Sequence, residues 1–273
     1  MPEANVPSGA VESLLRREGL IVAGALSVLV LIAALYTVMG VGMNMSAIDM
    51  TRMARPIGEP MAMGMDPQWS ASYAWVVFLM WWVMMIAMMT PSAAPLVLLF
   101  AAVKRMGPDG DKAATHSGLL LAGYLVAWAG FSALATTAQW MAETYGIVAG
   151  AMMTLEGRWL AAFVLIAAGL YQFTPIKSAC LKHCRAPGQF LADHRRPGGY
   201  GAFRIGVDHG AYCLGCCWAL MALLFVGGIM NLYWIAGLTV YVLLEKLAPR
   251  GDVIAKIAGA ALVLAGGSLL LDG

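Results

Sequence analysis

Charge is what this chain has least of. Only 12% of its 273 residues are Asp, Glu, Lys or Arg, about half the share of a typical soluble domain. The apolar share is 61%, and it falls in long unbroken runs rather than in alternation. Unbroken runs exclude a transmembrane β-barrel, whose strands alternate. They leave helices, which satisfy their own backbone in lipid. The chain also has no Ser/His/Asp arrangement, phosphate-binding loop or nucleotide fingerprint, and no internal repeat. A catalytic role is accordingly not the expectation. Nothing points to nucleic acid, because the basic loop described below is explained by membrane topology.

Seven apolar stretches are long enough to be read as spans: Leu20–Val41, Tyr73–Val103, Ser117–Met141, Trp159–Ile176, Ala211–Met230, Leu232–Leu247 and Val253–Leu271. The fifth and sixth are divided only around Asn231, so six spans is the alternative count. The first follows Arg16 and Arg17 as a signal peptide would. It is longer than the roughly 7–15 apolar residues of a signal core, and no small-x-small site ends it. It reads as a retained span. The fold class is therefore an all-α, polytopic transmembrane bundle forming one membrane domain over 1–273, in a bacterial inner membrane.

Placement of Lys and Arg sets the orientation. With the N-terminus in the cytoplasm, only Arg52, Arg55 and Arg158 of the 17 basic residues fall outside. Two connections are too long to be simple links. The outer one, 42–72, is rich in Met, Gly and Pro. The inner one, 177–209, is basic and carries Pro187, Pro197, Gly198 and Gly199.

Cysteine is scarce, yet all five copies lie close to that inner segment. Cys180 and Cys184 form C-x3-C, and Cys213, Cys216 and Cys217 form C-x2-C-C at the start of the fifth span. In a reducing cytoplasm these thiols stay free. On a helix the spacings i, i+3 and i+4 place each group on one face. Thiolate is a soft ligand suited to Cu(I), Zn(II) or an iron–sulfur cluster, and nearby Lys and Arg favour the thiolate form. His183 and His209 are close enough in sequence to complete a site. The competing reading is that the cysteines are small residues packed at helix contacts, and that the histidines are ordinary loop residues.

Methionine, by contrast, is abundant, with 20 copies. Met39, Met43, Met45, Met50, Met53, Met61, Met63 and Met65 sit in or beside the outer connection. The pairs Met43/Met45, Met61/Met63 and Met63/Met65 could chelate Cu(I) without forming disulfides, since thioether is soft and uncharged. On the second span Met80, Met84 and Met88 repeat every four residues as one stripe, with Met85 and Met89 beside it. The stripe resembles, as a motif, the methionine ladder of copper-uptake channels. Ordinary core packing is its competing reading.

Gln139, Gln172 and Glu245 lie in or at the ends of spans. The expectation is interhelical hydrogen bonding for both glutamines and an interfacial pair between Glu245 and Lys246. The stretches WVMMIAMMTP (82–91), GYLVAWAGFS (123–132), AAGLYQFTPIKSACLKHCR (167–185) and CLGCCWALM (213–221), with Glu245–Lys246, resemble the bacterial family of predicted metal-binding integral membrane proteins. The resemblance covers roughly residues 75–247. It implies metal binding through Cys180, Cys184, Cys213, Cys216 and Cys217.

The first functional expectation is copper handling or transport: outer Met residues capture Cu(I), the ladder passes it inward, and the cysteines receive it. With no ATP site or obvious proton relay, movement would be facilitated or driven by a partner, such as a periplasmic metal-binding protein. The alternatives are an iron–sulfur or thiol-redox protein, and an accessory subunit of a larger membrane complex with a structural metal.

Overall fold

The computed structural model describes residues 8–43, 45–54, 56–57, 69–108, 110–149 and 153–271, the side chains of 8–18 and 149 excepted. It is 83% helical. The helices are α1 (Ser8–Met39), α2 (Ala47–Arg52), α3 (Ala71–Arg105), α4 (Ala113–Thr144), α5 (Arg158–Tyr171) and α6 (Pro175–Arg185). They continue with α7 (Pro187–Asp193), α8 (Gly198–Ala222), α9 (Leu224–Gly227), α10 (Leu232–Leu247) and α11 (Gly251–Leu271). A two-stranded antiparallel hairpin, β1 (Val148–Ala149) with β2 (Thr154–Leu155), follows α4.

Among the described residues, five helical segments are long and apolar enough to cross a membrane: 19–39, 71–105, 110–144, 198–227 and 251–271. Their length and composition are compatible with a membrane protein. The expected fourth span is instead divided. α5 ends at Tyr171, the chain bends by 64°, and α6 begins at Pro175. The cause is local. Pro175 occupies the first turn of α6, where its missing N–H costs nothing, and Thr174 caps that turn by accepting from Lys177 N. Counted as one bent element, the pair brings the number to six. α10 has 16 residues, about 24 Å at 1.5 Å per residue, against a hydrocarbon core of about 30 Å. It falls short of a span by length alone.

α8 is the second difference. It starts at Gly198 rather than at Ala211, so the segment 177–209 expected as a loop is helical over most of its length. α8 packs chiefly on α4, α5 on α11, and α1 on α3. Small residues permit the closest approach: a Cβ at Gly206 would overlap Leu120 O of α4, and one at Gly123 would overlap Phe203 O of α8. Close backbone approach of this kind is how helices pack where no hydrophobic force separates them from lipid. The main core gathers α3, α4, α8, α9 and α10 around Trp81, Trp128 and the methionines of α3. A smaller core beside it joins Phe100 of α3 to Phe190 of α7 and Ile205 of α8.

The outer connection is partly ordered by its own sequence. Ser46 caps α2 by accepting from Asp49 N, and Leu232 N of α10 donates to Thr51 Oγ1 at 3.0 Å. α2 therefore folds back onto the bundle, where a composition rich in Met, Gly and Pro predicted only a connection.

Candidate metal centre

α8 places Cys213, Cys216 and Cys217 on one face, as i, i+3 and i+4 require. All three are fully buried. The thiols of Cys216 and Cys217 both donate to Cys213 O, at 3.1 and 2.8 Å. α6 packs against α8 and brings in Cys180 and Cys184, one turn apart. Cys184 Sγ lies 3.9 Å from Cys216 Sγ. Two thiolates sharing one ion through bonds of about 2.3 Å sit roughly 3.8–4.0 Å apart at tetrahedral or trigonal angles. The pair is thus spaced as one edge of such a site. Cys180 occupies the space that Gly215 leaves open, since a Cβ there would come within 2.6 Å of its Sγ. All five thiols are free. Among the described residues no group of three His, Cys, Asp or Glu side chains is arranged to hold an ion; the Cys184–Cys216 pair is the unit the geometry supplies.

Around these sulfurs stand residues that the sequence did not single out for the site. Lys246 Nζ, at the end of α10, donates to Cys213 Sγ at 2.9 Å and to Ser92 Oγ of α3 at 3.1 Å. Tyr124 Oη of α4 donates to Met89 O at 3.1 Å and lies 3.2 Å from Cys213 Sγ. Lys246 is only 5% exposed, and a charge so buried needs a counter-charge. Cys213 Sγ, once deprotonated, is the group placed to supply one.

Glu245 does not pair with its neighbour Lys246. Adjacent helical residues point in different directions, and Glu245 instead meets Lys177 of α6 at 2.6 Å, with both side chains inside the bundle. Tyr241 Oη also donates to Glu245. The expected interfacial pair is thereby replaced by a buried ion pair one residue away from the lysine that serves sulfur.

The two histidines separate. His183 Nδ1 pairs with Ala179 O, and its ring stacks on Tyr212 at 4.2 Å; the structure does not bring it to the thiols. His209 is not a loop residue. It is buried in α8 one turn before Cys213, its ring 5.8 Å from that of Tyr124, and its Nδ1 has no hydrogen-bond partner. It adjoins the cluster without touching sulfur.

Met80, Met84 and Met88 are buried together with Met85 and Met89, in the same core as Cys213, Cys216 and Cys217. In the outer connection Met50 is buried, and Met43 and Met45 pack against that core. They are not the exposed thioethers that a loop would present, because α2 draws them in. Met61, Met63 and Met65 lie outside the described residues.

The residues that hold this arrangement all lie within the part of the chain that matches a known family. The PpoB2 family, described as a copper chaperone, has a model that matches residues 78–269. The chain belongs to the PpoB2 copper chaperone family. No similar curated protein and no similar solved structure was found.

The part matched to PpoB2 includes the α3 stripe from Met80, all five cysteines, Tyr124, Ser92 and Lys246. It begins after Met43, Met45, Met61, Met63 and Met65, so the outer methionines lie before it. For this PpoB2 member the match supports metal binding, with copper the metal that the family's description names. The glutamines divide as well. Gln139 bridges helices as expected, accepting from Trp81 Nε1 and donating to Glu143, both at 2.8 Å, and donating to Met153 Sδ at 2.9 Å. Gln172 does not, since neither of its amide atoms has a partner.

Proposed function

We propose that this protein is a membrane-embedded copper chaperone that takes Cu(I) along the α3 methionines and holds it on the thiols between α6 and α8. One observation carries the reading. The α3 methionines Met80, Met84, Met85, Met88 and Met89 are buried in one core with Cys213, Cys216 and Cys217, and Tyr124 Oη in that core spans from the backbone carbonyl of Met89 to Cys213 Sγ. Thioethers and thiols thus share one apolar core. A soft monovalent ion passing from one to the other stays in soft coordination, and moves toward the stronger donor. Cys184 and Cys216 form the edge that first receives it, with Cys213, Cys217 and Cys180 in reach. Lys246 balances the negative charge that a two-thiolate Cu(I) complex carries. The copper is cargo, handed on to a partner of the same soft-ligand chemistry.

The test loads the purified full-length protein with Cu(I) under reducing, anaerobic conditions. Copper per protein is then measured after challenge with a Cu(I) chelator. Wild type is expected to retain copper, and C184S/C216S to lose it. M84L/M88L is expected to retain bound copper at equilibrium but to load more slowly when the protein sits in liposomes. Wild type that holds no copper overturns the reading. A brown protein with visible absorbance would replace it with an iron–sulfur centre, because Cu(I) thiolate is colourless.

A further inference from the structure

Gln172 sits at the bend between α5 and α6, only 2% exposed, with neither Oε1 nor Nε2 hydrogen-bonded. Buried polar groups are satisfied in the great majority of cases, and an orphan of both signs requires a cause. Gln172 lines a cavity of about 390 Å³ whose other polar walls are Ser178 and the charged residues Lys177, Lys182, Arg185, Lys256 and Asp252. The cationic groups outnumber the acidic one by four to one. Two of the four are already matched: Lys177 by Glu245, and Arg185 by Asp252 at 3.5 Å. Lys182 and Lys256 have no ion-pair partner among the described residues and are exposed at the mouth. The cavity runs along α6 from Lys177 to Arg185 and is closed on the other side by Asp252, Ala255 and Lys256 of α11. Exposed apolar residues flank its lining in the chain: Phe173 beside Gln172, Ile176 beside Lys177 and Ile257 beside Lys256.

We propose that this cavity between α6 and α11 is a binding site for a phosphate group. Its volume is at the lower end of small-ligand pockets, room for a phosphodiester with its glycerol rather than for a bare ion alone. The phosphate oxygens accept from Lys182, Lys256 and the Gln172 amide. A basic pocket between helices, flanked by exposed apolar residues, is the chemistry that recognises an anionic lipid headgroup. A soluble phosphate would use the same donors without those apolar neighbours. The inference stands apart from the copper reading, since neither lysine touches a thiol.

The experiment reconstitutes the full-length protein in phosphatidylcholine bilayers doped with phosphatidylglycerol and weighs it by native mass spectrometry after release into detergent. A parallel arm titrates inorganic phosphate into lipid-free protein and follows thermal unfolding. Wild type is expected to retain one phosphatidylglycerol. K182Q/K256Q is expected to bind it roughly 30-fold more weakly, from the worth of two lysines at an anionic surface. The control K104Q/K112Q removes two charges elsewhere and should bind as wild type does. Q172L is expected to lose binding without loss of thermal stability in the ligand-free state, because it removes an unpaired polar group. A phosphate response in wild type that K182Q/K256Q abolishes, without lipid retention, assigns the site to a soluble phosphate. Equal retention by wild type and K182Q/K256Q, or no response to either ligand, overturns the proposal. Copper retention is measured on the same samples and should be unchanged in K182Q/K256Q, so the two readings fail separately.

Discussion

Two lysines, Lys177 and Lys246, lie inside the bundle, and each is tolerated for a different reason. Lys177 meets a carboxylate at 2.6 Å, and such a pair gains little over an apolar packing of equal volume, while leaving either partner alone is costly. K177M is therefore expected to destabilise the fold by about 3–5 kcal/mol. The double variant K177M/E245L should recover most of that loss. Denaturation in mixed micelles of the two singles and the double gives the cycle; a double as damaged as its worst single would contradict the pairing. Lys246 meets sulfur. A hydrogen bond to a charged group contributes about 1.5–3 kcal/mol, so K246M should weaken Cu(I) retention roughly 10- to 100-fold with the fold preserved. Chelator competition on the folded variant reads this directly. Retention equal to wild type would remove Lys246 from the site.

At the scale of elements, the site exists because α4, α6, α8 and α10 converge, and the α4–α8 crossing is its most demanding contact. Gly206 and Gly123 leave no room for a Cβ. G206L should force the helices apart at a cost of about 1–3 kcal/mol or more. It should also detach Tyr124 from Cys213, so that buried thiols react faster with a maleimide; unchanged thiol protection would show that the crossing does not seal the cluster. The helices themselves were legible, because continuous apolar runs leave few other choices: α3, α10 and α11 lie within two residues of the expected boundaries. The start of α8 was not, because GGYGA at 198–202 has the composition of a turn and the charges around it resemble a loop. The division between α5 and α6 was written in the sequence as Thr174–Pro175, a cap followed by a first-turn proline, but the apolar run across it masked the signal. The cysteines could be assigned to one region from spacing alone. Lys246, Tyr124 and Ser92 could not, since the contacts of Lys246 and Tyr124 with Cys213, and of Ser92 with Lys246, are decided by packing between residues more than 30 positions apart in the chain.

The whole molecule has two chemically distinct ends. Arg185 at the end of α6 donates to Ala248 O and Pro249 O between α10 and α11. Gly199 at the start of α8 lies against His116 and Leu119 near the start of α4. Phe190 of α7 packs with Phe100 near the end of α3. These contacts gather Lys104, Arg105, Lys112, Lys182, Arg185, Arg250 and Lys256 at one end. The opposite end is closed by Trp69 Nε1 donating to Glu143 at 2.8 Å and by α2 bonded to the start of α10. α10, short as it is, joins the two. If the protein lies in a bilayer with its positive charge on the cytoplasmic side, Met50 of α2 faces the outside and the mouth of the cavity between α6 and α11 faces the inside. In a variant with all five cysteines changed to serine, Y145C should therefore react with a membrane-impermeant maleimide in intact cells. K112C should react only after permeabilisation. Tyr145 is 74% exposed and Lys112 precedes α4 at the basic end, so neither result depends on the count of spans. Reversed labelling would invert the direction in which copper meets thioether before thiolate, and the chaperone would then have to release its cargo outward against the stronger ligand.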